Sequence, residues 1–166
     1  MSNERPPVET ILVYVDGSEG AIAAAQYAIL LARSIGAGLL AAYIVNTRAL
    51  TDLVKTKIFL QEEQEEYQRD IEADADRYLN HVRQLAEGRG VEIELCKRSG
   101  NVHQELRKIV EEREIDLLVI GELSKIRSRR DEFFNEAERA MRSVSCSVLI
   151  VKDEDRVWDL FEGTGG

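Results

Sequence analysis

Apolar residues along the chain fall into five short, nearly uninterrupted runs separated by longer stretches in which they recur every three or four positions. The first run, Thr10 to Val15 (TILVYV), ends at Asp16-Gly17-Ser18. A short β-rich run closed by turn residues predicts a strand buried on both faces. Ala21, Ala24, Ala28, Leu31 and Ile35 then share one face of a helix, with Ser18 as its N-cap and Gly36 and Gly38 ending it. Leu39 to Val45 (LLAAYIV) predicts the second strand, and Asn46 to Leu53 a loop. A long helical segment follows from about Lys55 to Gly88. Its apolar stripe is Tyr67, Ile71, Ala75, Tyr78, Val82 and Leu85, and its acidic residues lie mostly off that stripe.

Val91 to Cys96 (VEIELC) alternates apolar and polar residues, the pattern of a strand near a sheet edge. Asn101 with Gln104 has the spacing of a capping box, and Val102, Leu106, Ile109 and Val110 form the face of the following helix. Leu117 to Ile120 (LLVI) is a fourth strand ending at Gly121. Phe133, Ala137, Ala140 and Val144 mark another helix, and Ser147 to Val151 (SVLIV) is the last strand. Strict β-α alternation predicts an α/β fold: one doubly wound, five-stranded parallel sheet with helices on both faces, Rossmann-like or flavodoxin-like. The expected organisation is a tail over 1–8, one domain over 9–152, and a charged C-terminal tail over 153–166 that carries the apolar group Val157, Trp158, Leu160 and Phe161. Gly163 to Gly166 is expected to be disordered.

In such folds ligands sit beyond the carboxyl ends of the strands, near the point where the strand order reverses. Here that edge holds Asp16, Val45 with the residues after it, and the loop after Gly121. The loop carries Lys125, Arg127, Arg129 and Arg130, a candidate anion-binding set, with Asp131 and Glu132 partly offsetting it.

The 166 residues carry a formal net charge of -9, which argues against nucleic acid and anionic membrane as partners. No apolar run approaches a membrane span, and the first ten residues lack the apolar core of a signal peptide, so the expected location is the cytoplasm. Cys96 and Cys146 belong to no CxxC pair and read as buried free thiols. His81 and His103 have no partner at metal-ligand spacing, so no metal site is expected. GxxxxGK[ST], GxGxxG and GxSxG are all missing, and no carboxylate follows the third strand as a phosphoacceptor would require. No catalytic constellation is found.

Three segments carry a resemblance to a known family. ILVYVDGSEG (Ile11–Gly20), DLLVIG (Asp116–Gly121) and AERAMRSVSCSVLIVK (Ala137–Lys152) resemble, in order, the opening strand and turn, the fourth strand, and the closing helix and strand of universal stress proteins. The resemblance spans roughly Glu9 to Lys152. It implies that an aspartate after the first strand, here Asp16, contacts the adenosine end of a ligand in the nucleotide-binding branch. It also implies a phosphate loop G-x2-G-x9-G-[ST]. Glycines there let backbone amides approach phosphate, and the last pair sits at a helix N-terminus. This chain keeps the first glycine as Gly121, has Ser124 at the second, Phe134 at the third and Asn135 at the final position.

Two readings follow. One is a non-enzymatic, homodimeric stress-response module without a cofactor, pairing through the last strand (Val148, Leu149, Ile150, Val151), where an uncovered edge needs a partner. The other is an adenine-nucleotide binder (ATP or AMP, with Mg2+) or slow ATPase, built on Asp16, Val45, Gly121, Ser124 and Asn135 with the basic loop. Asp16 itself stays open between a ligand contact and a turn residue. A third reading, an acidic helix that recruits a basic partner, competes with an ordinary solvated helix face.

Overall fold

A computed structural model describes residues 5–46, 61–122 and 132–163. The elements are β1 (Thr10–Tyr14), α1 (Glu19–Ile35), β2 (Gly38–Asn46), α2 (Gln61–Glu87), β3 (Glu94–Gly100), α3 (Val102–Glu112), β4 (Leu117–Gly121), α4 (Glu132–Ser143), β5 (Ser147–Val151) and α5 (Glu154–Gly163). All strand pairs are parallel, in the order β3-β2-β1-β4-β5. This is the doubly wound five-stranded sheet that the alternation predicts.

The continuous apolar strands make sense because successive residues feed opposite layers. Ile11, Val13, Val15, Leu39, Ala41, Leu117 and Val119 pack in one cluster with α1, α2 and α5. Leu12, Tyr14, Leu40, Ala42, Ile44, Leu118 and Ile120 pack in the other with α3 and α4. The alanines of α1 let that helix lie close on the central strand: Ala24, Ala25 and Ala28 are fully buried. Burial on α1 runs on through Ile29 and Ala32, whereas Ile35, expected on the inner face, is 49% exposed.

Local signals operate as expected at several junctions. Ser18 caps α1 by accepting from Ala21 N (3.1 Å), and Gly36 ends it with φ 70°. Asn101 caps α3 through Gln104 N (3.5 Å).

Further expectations need correction. The third strand is Glu94–Gly100, not Val91–Cys96. After Gly90 (φ 70°), Val91 N still donates to Ala86 O (2.9 Å), so residues 91–93 are spent leaving the helix. Val91 therefore joins the helical layer, and ladder pairing with β2 starts at Leu40↔Glu94. The stripe of α2 is also shifted: Ala75, Leu79, Val82 and Ala86 are buried, while Tyr67 is 38% exposed because residues 65–70 project past the core. Finally, Glu154–Gly163 of the expected charged C-terminal tail is helical. It forms α5, with Val157 and Phe161 buried against α1.

Cys96 and Cys146 are free and half-buried rather than buried. They belong to opposite edges of the sheet, four strand spacings or roughly 19 Å apart, far beyond disulfide reach. Among the described residues no helix is long and apolar enough to cross a membrane.

Candidate ligand site at the carboxyl edge of the sheet

The strand order reverses between β1 and β4, since β2 lies on one side of β1 and β4 on the other. The crevice beyond their carboxyl ends is thus the expected ligand position. Its floor is a contact between two glycines. A Cβ placed on Gly121 would meet Gly20 C and Gly20 O at 2.6 Å, so the end of β4 touches the first turn of α1 with no room for any side chain.

One wall is the β1–α1 turn. Asp16 is half-buried, and its Oδ1 accepts from Ser18 N (2.9 Å) and Ser18 Oγ (2.6 Å). This Asx-type turn sets up the cap that Ser18 gives Ala21 N. The turn role of Asp16 is therefore present in the fold, and it engages only one carboxylate oxygen in these bonds. Gly17 holds φ 83° and lies against the Tyr78 ring: an added Cβ would come within 2.6 Å of Tyr78 Cε2. Tyr78, from α2, stacks in turn on Tyr43 of β2, with centroids 6.3 Å apart and planes 4° from parallel. Burial raises the Tyr43 hydroxyl above its ordinary value, and the nearby carboxylates of Asp16 and Asp74 add to the shift. The two rings form an apolar buttress under the turn. The sequence stripe flagged Tyr78 as an inward residue but not its contact with Gly17.

Val45 is buried near the end of β2, and Asn46 closes the strand. Gly121 ends β4. Positions 134 and 135 lie in the first turn of α4, which begins at Glu132. Ser124, Lys125, Arg127, Arg129 and Arg130 lie outside the described residues. On the far side of the sheet's midline, β5 is an edge strand, with Val148 and Leu149 half-buried, Ile150 37% exposed and Val151 buried. Among the described residues no group of three or more His, Cys, Asp or Glu could hold a metal ion.

The fold, the glycine contact and the Asp16 turn all occur within a segment that matches a single family model: the Universal stress protein family, over residues 7–152. The chain belongs to the universal stress protein family. A universal stress protein of Methanocaldococcus jannaschii is 28% identical over 142 residues, covering 86% of this chain and 81% of the relative. Two solved structures share the fold. A universal stress protein family member from Burkholderia pseudomallei superposes with a TM-score of 0.69 at 23% identity, covering 90% of this chain and 100% of that one. A universal stress protein family protein from Arabidopsis thaliana with AMP bound gives 0.65 at 15% identity, covering 89% and 94%. The family match stops at residue 152, so α5 of this universal stress protein falls outside it.

Proposed function

We propose that this universal stress protein is a non-catalytic, cytoplasmic stress-response module that works as a homodimer and does not hold ATP in a glycine cradle. The observation that carries this reading is the sequence of the phosphate loop: of its three glycines only Gly121 is present, with Ser124 and Phe134 at the other two positions. Backbone amides can wrap a polyphosphate only where no side chain stands between them and the oxygens. The residue at the third glycine position, in the first turn of α4, is a phenylalanine, which lacks the bare Cα that the motif's glycine supplies. Native mass spectrometry of the protein, purified without added nucleotide, is expected to give polypeptide mass only, with no increment of an adenine nucleotide per chain. A stoichiometric adenine nucleotide in that spectrum would overturn the reading.

The homodimer reading is supported by the unpaired edge of β5, where Ile150 is 37% exposed on an otherwise apolar strand. Sedimentation at micromolar concentration tests it. A stable monomer sinks it.

A second reading, an AMP or ATP binder with Mg2+, is favoured by one feature. The Gly20–Gly121 contact keeps the crevice floor bare of side chains next to Asp16, and the Arabidopsis relative with the same fold carries AMP. A ligand bound only to the native state raises its melting temperature. A thermal shift with millimolar AMP or Mg-ATP would favour this reading over the first.

A further inference from the structure

The space beside the β1–α1 turn is filled from a different element. A Cβ on Gly17 would meet three atoms of the Tyr78 ring, at 2.6 Å from Cε2, 2.8 Å from Cζ and 3.1 Å from Cδ2. The ring edge therefore rests on a bare Cα, and the φ of 83° and the contact both demand glycine there. Tyr78 is half-buried on α2, and its helix neighbours Ala75 and Leu79 are buried in the core. The ring stacks in parallel on Tyr43, and the Arg77 guanidinium carbon lies over it, 5.7 Å from its centroid. Core, turn and stacked neighbour thus hold the ring in one place.

That place belongs to the candidate site. Asp16 directly precedes Gly17, and Tyr43 and Val45 stand two residues apart on one face of β2. The Tyr43 hydroxyl is near enough to the Asp16 carboxylate and to Tyr78 for both to raise it. Asp16, Tyr43 and Tyr78 therefore converge at one end of the crevice, the end that the Asp16 motif assigns to adenosine. A purine base and a phenol ring are both planar aromatics, and two such groups cannot share one van der Waals volume.

We propose that Tyr78 is a specificity-determining residue: its ring, held on Gly17 and Tyr43, fills the adenosine end of the crevice and excludes purine nucleosides. The inference rests on the reading of a site that does not hold ATP, and it adds a cause independent of Phe134 and the phosphate loop. The exclusion is steric, so it acts on uncharged adenosine as it does on a nucleotide.

The test is isothermal titration of the full chain with adenosine and Mg-ATP, comparing wild type with Tyr78→Ala, Tyr78→Phe and a control, Tyr67→Ala, at an exposed position of the same helix. Melting curves establish that each variant is folded, and Tyr78→Leu replaces Tyr78→Ala if the latter is not. The free side chain, p-cresol, should raise the melting temperature of Tyr78→Ala and leave wild type unchanged. Tyr78→Ala is expected to bind adenosine about ten-fold or more tightly than wild type, with p-cresol competing, because a clash has become an open pocket. Tyr78→Phe keeps the ring and should match wild type, as should Tyr67→Ala. Equal adenosine affinity in wild type and Tyr78→Ala, or none in either, overturns the proposal. Weaker binding by Tyr78→Ala overturns it too, since the ring is then a stacking platform. In those outcomes the reading of a site without ATP stands. If wild type binds Mg-ATP at micromolar concentration, that reading falls and takes this inference with it.

Discussion

The guanidinium of Arg89 lies over the ring of Phe161, its carbon 3.9 Å from the ring centroid, while Nη2 and Nε donate to the Phe161 carbonyl at 2.9 and 3.3 Å. One residue in the turn after α2 thus holds the end of α5 by charge, stacking and hydrogen bonding together. Arg89→Ala should cost about 1–2 kcal/mol, and Lys should not restore it, since an ammonium cannot both stack and fork. Urea denaturation gives the loss, and hydrogen exchange should localise it to amides of 154–163.

Phe161→Ala should cost more, about 3–5 kcal/mol, because the ring is 1% exposed and its removal leaves a cavity under α5. A loss below about 1 kcal/mol would mean that α5 is not docked in solution.

Gly121→Ala and Gly20→Ala should behave differently although the two residues touch. A Cβ on Gly121 would meet backbone atoms of Gly20 at 2.6 Å, whereas a Cβ on Gly20 finds nothing nearer than 3.7 Å. The first substitution should cost about 2 kcal/mol or more through forced backbone movement, the second under about 1 kcal/mol. Equal denaturation midpoints would contradict the packing at the crevice floor.

Burial, aided by Asp16 and Asp74, raises the Tyr43 hydroxyl above its ordinary value of 10.0. With the neutral form favoured in the native state, the unfolded chain loses this proton first as pH rises. Stability is then full below pH 10 and falls above it, toward the native-state value. Tyr43→Phe should flatten part of that alkaline decline, as followed by denaturation midpoints across the pH range. An identical decline in both proteins would exclude Tyr43 as its source.

Burial likewise pushes the Cys146 thiol above its usual range. Alkylation of Cys146 in the native protein should therefore be slower than that of a free thiol at mildly alkaline pH, and should reach the free rate on unfolding. Peptide mapping after timed labelling measures it. Oxidation should yield no Cys96–Cys146 bridge within one chain.

Most of the fold was legible in the sequence because its three central strands are almost wholly buried. TILVYV and LLVI admit few other interpretations, and each is followed by a turn residue with a defined job, such as Ser18 or Gly121. β3 was misplaced because its alternation is shallow and the exit from α2 consumed Val91 to Ile93. α5 was missed although Asp153 as a cap, Glu154 in the first turn and the Val157–Phe161 spacing of four were all in view. Charges around them read as a tail, and only the docking surface of α1 shows why the helix forms. At the site, Asp16 and Gly121 were found as members of motifs. The Gly20–Gly121 contact, the Tyr78 ring on Gly17 and the approach of Glu154 to Gly20 join residues distant in sequence, and no local pattern encodes them.

The path of α5 also decides how the molecule can be handled. Glu154 starts beside Gly20 and Phe161 ends at Arg89, so the helix runs from the crevice down to the opposite end of the sheet. At that same end the chain enters β1, where Asp116 Oδ2 accepts from Glu9 N (2.8 Å) and Thr10 N (3.0 Å). Both described ends of the polypeptide therefore emerge on the side away from the crevice. A fluorescent label placed at either of these described ends sits away from the ligand mouth.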